Sequence, residues 1–525
     1  MTTVRRPGRL QKIAYDDTPL NSRKPDIDAR IGWLLAMSRL HHQDTDMADG
    51  RRFVQALAAA GCVASRSLVS RWESGEIPIS YEGMSGYEKA LGLEPGRISS
   101  LTGYMRAAMP GVKARVARPQ LDPASREFSM RLDELIELAE DGDARATDWQ
   151  DLGWHMAAAP LIHLRARTWE TLTRRVINIL PRSVKVPYRQ YSTAALNIAS
   201  VPRAQDFLTA AIAEYISTPG VQVLTNPIGL LDQLPTRQAA KIVLDLVEEP
   251  PTEAVFALAV WVAAQRVSRG DFTPEERARL NMIVLKLWRA DPGKAADQLA
   301  ELIASLPEGL RSTLTDAASK AGRRRLGYVV EMGEDLAPNM ARGLSHDIAE
   351  AARVRAPGGA AYDEDRMFVR LVREALFHRD SERRHLASLL ISASPFGDAL
   401  TDELLTLLTA PNAPTLVRVR AATLSRYLST DVHRLRMLRF VEDPNDKVGT
   451  AIVQGVGHMT FTDFSDQVIR ASLKEEWSQR ERAKLYALGM TGSPGLETIL
   501  RSGQSPAWQK TAATWWLAHG SAVRS

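Results

Sequence analysis

The polar side chains of Ser65, Arg66, Ser67, Ser70 and Arg71 share one face of a predicted helix, and the chemistry they could do is recognition of a nucleic acid. Val69 and Trp72 fall three apart on the opposite face, where they meet a core. Ser65 can cap the start of this helix, and Gly75 can supply the positive φ that stops it. Such a helix fits the B-DNA major groove. There an arginine donates two hydrogen bonds to guanine O6 and N7, and a serine hydroxyl bonds a base or a phosphate. No catalytic constellation accompanies it. Asp291-Pro292-Gly293-Lys294-Ala295 has the lysine of a phosphate-cradling loop but neither its first glycine nor its hydroxyl, and the zinc-protease and nucleophile-elbow motifs are absent. His378 and His385 straddle Arg379, Arg383 and Arg384, a setting that repels a cation, so they are expected on the surface. His155 and His163 lack acidic or cysteine partners. The expected catalytic residues, metal ligands and cofactors are therefore none.

The elements around this helix have to position it. A preceding helix is predicted from about Arg51 to Ala60, with Phe53, Ala56, Leu57 and Ala60 on a core-facing stripe and Arg51 and Arg52 at its N-terminal end. Two basic side chains at the positive end of a helix dipole suit a phosphate. Downstream, Ile77-Pro78-Ile79 and Ala90-Leu91-Gly92-Leu93 follow in order. Together these residues resemble the Cro/C1-type (XRE) helix-turn-helix DNA-binding family over about residues 26 to 105, roughly a fifth of the chain. The resemblance implies a five-helix domain in which Arg66, Ser67 and Arg71 read bases. Ser65 and Ser70 touch phosphate or sugar, Arg51 and Arg52 meet the DNA backbone, and Val69 and Trp72 belong to the core. Two departures stand out. The turn Gly61-Cys62-Val63-Ala64 is about two residues longer than the common form, and a loop from His41 to Gly50 separates the first two helices.

The whole chain sets the limits. At 525 residues it exceeds the usual single core several-fold, and 45% hydrophobic with 25% charged residues describe a chain that folds. A net charge of +5 permits a polyanionic partner but is too dilute to argue one alone. The longest apolar run, Ala254 to Ala264, is too short to span a bilayer and reads as a buried helix. Arg5, Arg6 and Arg9 precede no apolar segment, unlike a secretory signal, so a cytoplasmic, nucleoid-associated protein without a membrane partner is expected. The single cysteine, Cys62, excludes intramolecular disulfides and reads as a small buried hydrophobe.

The expected organisation is a flexible basic arm (1–25), the helix-turn-helix domain (26–108), a proline-bearing linker (109–127) and an all-α region (128–525). Within the last region, similar segments begin at Ser381, Val417, Asp446, Ser478 and Ala507, roughly 29 to 36 residues apart. Most start with polar residues that can cap a helix and then place alanine with leucine or a β-branched residue on one face. They resemble HEAT repeats, with a period somewhat short of the roughly 40 to 47 of that family. An α-solenoid of helical hairpins is therefore expected. Arginines at Arg323 to Arg325, Arg383, Arg384, Arg418, Arg420, Arg426, Arg434, Arg436 and Arg439 are expected on solvated helix faces.

These features predict a transcriptional regulator of the bacterial kind, binding double-stranded DNA as a homodimer across two half-sites. Its repeat region serves dimerisation and carries a peptide or protein ligand on its surface. Two other functions remain open: a helical-repeat enzyme resembling DNA glycosylases, and a scaffold whose helix-turn-helix contacts protein.

Overall fold

The computed structural model describes residues 13–22, 24–108, 122–327, 333–357, 365–410 and 412–524. The fold is all-α. Among the described residues, β pairing is confined to two isolated bridges, Ser183 with Val523 and Glu334 with His378. The chain opens with α1 (Ile27–Leu40), α2 (Gly50–Ala59), α3 (Arg66–Glu73), α4 (Tyr81–Ala90) and α5 (Ser99–Ala108). Each of the first four starts where an Asp or Ser side chain accepts an amide of the first turn: Asp26 for α1, Asp49 for α2, Ser65 for α3 and Ser80 for α4.

The remaining helices form stacked hairpins of an α-solenoid. The repeated segments become the successive helices Ser381–Ala393, Thr415–Leu428, Asp446–Gly457, Gln479–Thr491 and Ala507–His519. From Thr415–Leu428 onward, each packs against the next. Asp380, Asn445 and Ser478 cap three of them through their side chains, whereas Pro414 and Pro506 precede the other two. The apolar run from Ala254 lies in the helix Glu253–Arg269 and is buried at Val255, Phe256, Ala259, Val260, Val262 and Ala263.

The solenoid closes on itself. Val523 N–H donates to Arg182 O at 2.9 Å and its carbonyl accepts from Val184 N–H at 3.3 Å. Tyr215 meets Trp515 edge-on at 6.3 Å, and Lys447 Nζ pairs with Glu253 at 2.8 Å.

The five-helix unit is built into this ring, and one continuous hydrophobic core runs through both. α5 packs along the helix Lys185–Ala199, and α1 is buried along nearly its whole length. Trp33 Nε1 donates to Asp365 at 2.8 Å, and Arg97 Nε to the carbonyl of Ala393 at 2.9 Å. Arg30, fully buried, pairs with Asp16 at 2.7 Å and with Glu374 at 2.6 Å.

Residues 13–22 and 24 differ from the flexible arm expected of them. Ala14 and Asp16 are buried, Arg383 donates to Ser22 O at 3.0 Å, and the His378 ring nitrogen lies 2.9 Å from Leu20 O. The reason is charge: Asp16 supplies a carboxylate to a buried guanidinium cluster that joins Arg30 to Arg370 and Arg383, the last two more than 350 positions away in the chain. Arg5, Arg6, Arg9, Lys12 and Arg23 lie outside the described residues, as does most of the linker expected at 109–127. His378 is correspondingly buried and His385 half-buried, not on the surface as expected. Arg383 is buried as well, and Arg418, Arg420 and Arg436 are ion-paired to Asp443, Asp335 and Asp402.

Candidate nucleic-acid interface

α2 ends at Ala59 and α3 begins at Arg66, joined by a turn in which Gly61 takes φ +86° and Val63 is 92% exposed. Cys62 is buried in that turn, and burial pushes its thiol up, with Glu82 adding to the effect. Ser65 caps α3, its Oγ accepting from Leu68 N–H at 3.1 Å. Replacing it with alanine should cost about 1 kcal/mol of stability in a denaturant titration, an effect confined to the loss of this cap. An unchanged midpoint would remove the cap from the account.

The packing of α3 on α1 is very close. A Cβ added at Gly32 would stand 2.7 Å from Gly75 N and 2.8 Å from Trp72 O. Gly75 itself takes φ +73° against the backbone of Ala29, so only glycine fits at both ends of this crossing. Beneath it, Arg39 of α1 grips Glu73 of α3 in a bidentate pair at 2.6 and 2.8 Å, and Tyr87 Oη donates to the same carboxylate at 3.1 Å. Val69 and Trp72 are buried. Arg39, Glu73 and Tyr87 carry the support of α3, and sequence reasoning missed them. A charged residue at the buried edge of a helix gives no periodic signal when its partner is 34 positions away.

Ser65, Arg66, Ser67, Ser70 and Arg71 are all exposed, as are Arg51 and Arg52 at the start of α2. Arg66 reaches toward α2: its Nε would stand 3.5 Å from a Cβ at Gly50. The cluster has an acidic centre. Asp49 accepts the amides of Arg51 and Arg52 at 2.7 and 3.2 Å. Those amides hold its carboxyl below the usual range, and the Arg51 and Arg66 side chains add to the effect. The amides at the α2 terminus are thus taken by Asp49, while the Arg51 and Arg52 side chains, expected at a phosphate, stay exposed. Arg71 Nε lies 3.1 Å from Glu76, and both side chains are about half exposed. A surface pair of this kind is worth about 0 to 1 kcal/mol, so Arg71 is readily freed for another acceptor. Among the described residues, no three His, Cys, Asp or Glu side chains converge as metal ligands, and no helix is long and apolar enough to cross a membrane.

Comparison with known proteins adds no family. No protein-family model matches the chain, and no curated protein does. A solved structure described as an engineered protein aligns with 74% of this chain and 98% of its own at 13% identity, with a TM-score of 0.22. A score that low carries no argument.

Proposed function

We propose that the chain is a sequence-specific DNA-binding regulator of transcription that acts by binding and works in the cytoplasm at the nucleoid. The observation that carries this reading is the exposed row Ser65, Arg66, Ser67, Ser70 and Arg71 on a helix whose other face is buried, flanked by Arg51 and Arg52. The resemblance to Cro/C1-type helix-turn-helix proteins supports the same assignment of roles. Arg66, Ser67 and Arg71 read base edges in the major groove, while Arg51, Arg52, Ser65 and Ser70 hold the phosphates and set the register. One such unit covers a half-site, so a homodimer on two half-sites about one DNA turn apart follows, with the HEAT-like ring as the dimerising and effector-binding platform.

Selection from a random duplex library should enrich one motif, and an enrichment of nothing would sink the reading. Arg66→Ala should cost about 1 to 3 kcal/mol of affinity and relax preference at one base position. Arg51→Ala should weaken all sequences alike and lower the slope of log affinity against log salt by about one. Identical behaviour of the two variants in the same binding assay overturns the division of roles.

A further inference from the structure

Where the solenoid closes, it surrounds a cavity of about 1130 Å³. One wall is aromatic. Tyr104 from α5, Tyr188 and His385 meet with ring centroids 5.8 to 6.2 Å apart, and His385 lies 5.1 Å from Tyr427. Tyr188 Oη is 3.2 Å from His385 Nε2. The guanidinium of Arg426 stands 4.5 Å over the Tyr427 ring, with one of its amino groups on Gln454 Oε1 at 2.6 Å and the other on Tyr427 Oη.

The cavity's charges do not balance. Its carboxylates are committed: Asp232 to Arg269 at 2.8 Å, Glu253 to Lys447 at 2.8 Å and Asp446 to Arg480 at 3.0 Å. Asp380 caps a helix and accepts the Trp261 indole at 3.0 Å. Glu382, which accepts Tyr104 Oη at 3.1 Å, is pushed up to about 7 by burial and by Asp380. Arg269 and Arg383 are paired with carboxylates, but three further arginines of the lining are not. Arg189 donates to the Ser100 hydroxyl and Arg482 to the Val221 carbonyl, and Arg426 has no carboxylate within ion-pair distance among the described residues. Among the described residues, buried Arg426 Nε and His385 Nδ1 have no hydrogen-bond partner. Burial brings Arg189 down to about 10 and lowers Arg482, while His385 is held neutral at about 3 by burial and by Arg426. A half-buried cation without a counter-ion is costly, and a bound anion would relieve that cost.

We propose that this cavity binds a small organic anion, with a planar, largely apolar body stacked on Tyr104, Tyr188 and Tyr427 and its carboxylate, sulfonate or phosphate on Arg426. The volume, slightly above the roughly 300 to 1,000 Å³ usual for small-molecule sites, leaves room for a molecule of cofactor or metabolite size. Because Tyr104 belongs to α5, the ligand would touch the same five-helix unit that carries α3. The site does not depend on what α3 binds.

Anilinonaphthalene sulfonate, a planar aromatic anion, is the probe, titrated by fluorescence into the full chain. One saturable site per chain is expected, and naphthoate should displace the dye at about tenfold lower concentration than naphthamide, its neutral counterpart. In R426Q the dye should bind about tenfold more weakly, while neutral N-phenylnaphthylamine binds as before and reports that the cavity is intact. Absence of saturable dye binding, equal displacement by naphthoate and naphthamide, or dye affinity unchanged in R426Q would each overturn the proposal. The displacement arm uses the wild-type chain and decides the matter even if R426Q does not fold.

Discussion

Glu374→Gln should cost the chain at least about 3 to 5 kcal/mol of stability, because it removes the counter-ion of several buried guanidiniums at once. Glu374 Oε1 lies 2.6 Å from Arg30, 3.0 Å from Arg370 and 2.9 Å from Arg383, and its own side chain is fully buried. Burial opposes its ionisation, but Arg30, Arg383 and Arg370 outweigh burial and hold the carboxyl far below the usual glutamate range. A carboxyl depressed in the folded state stabilises it fully above the unfolded value of about 4.3. That contribution is lost as the pH falls below this value toward the folded one. Urea titrations of the wild type should therefore show stability falling below about pH 4.3, with a shallower fall in Glu374→Gln. Since Arg30 belongs to α1 and Glu374 to the ring, hydrogen exchange in α1 should rise in the variant more than exchange in helices remote from the contact. A loss under about 1 kcal/mol, or exchange rising evenly through the chain, would mean that this cluster does not hold the five-helix unit in place.

The same cluster shows why some of the structure was legible in the sequence and some was not. α3 could be read because its determinants are local: Ser65 as cap, Gly75 as stop, and Val69 and Trp72 at helical spacing all lie within a dozen residues. The repeats from Ser381 onward were legible for the same reason, through caps and apolar faces that recur along the chain. What escaped were pairings between distant polar side-chain groups. Arg30 and Glu374 are 344 positions apart, and Trp33 and Asp365 are 332 apart. Taken singly, each such arginine or aspartate looks like a solvated surface residue, and so residues 13–22 looked like a free arm and His378 like a surface histidine. The cavity was invisible for a related reason. Tyr104, Arg189, Arg426 and Arg482 come from four helices, and each fits its own helix without exception. Part of the closure of the ring is the backbone of Val523 meeting that of Arg182 and Val184, which leaves no mark on side-chain pattern.

Within the candidate interface, the support of α3 depends most on one buried pair, and Glu73→Ala should cost about 3 to 5 kcal/mol by stranding Arg39. Arg39 and Glu73 are buried to within a few per cent, so water cannot substitute for the lost carboxylate. Arg39 also donates to the carbonyl of Ala48 at 2.9 Å, so the loop before α2 depends on the same guanidinium. The damage should therefore reach both α2 and α3, and DNA affinity should fall further than it does in Arg66→Ala. Replacing both partners at once separates pairing from packing. Arg39→Met with Glu73→Leu removes two buried charges together and should be markedly more stable than Glu73→Ala, since apolar residues of similar volume often equal or exceed a buried pair. Tyr87 Oη loses its acceptor in that double variant, which limits the recovery by about 1 to 3 kcal/mol for an unsatisfied buried hydroxyl. Chemical denaturation of the two variants reads the difference directly. If the double variant is no more stable than Glu73→Ala, then α3 is held by the close crossing at Gly32 and Gly75, and the ion pair contributes little.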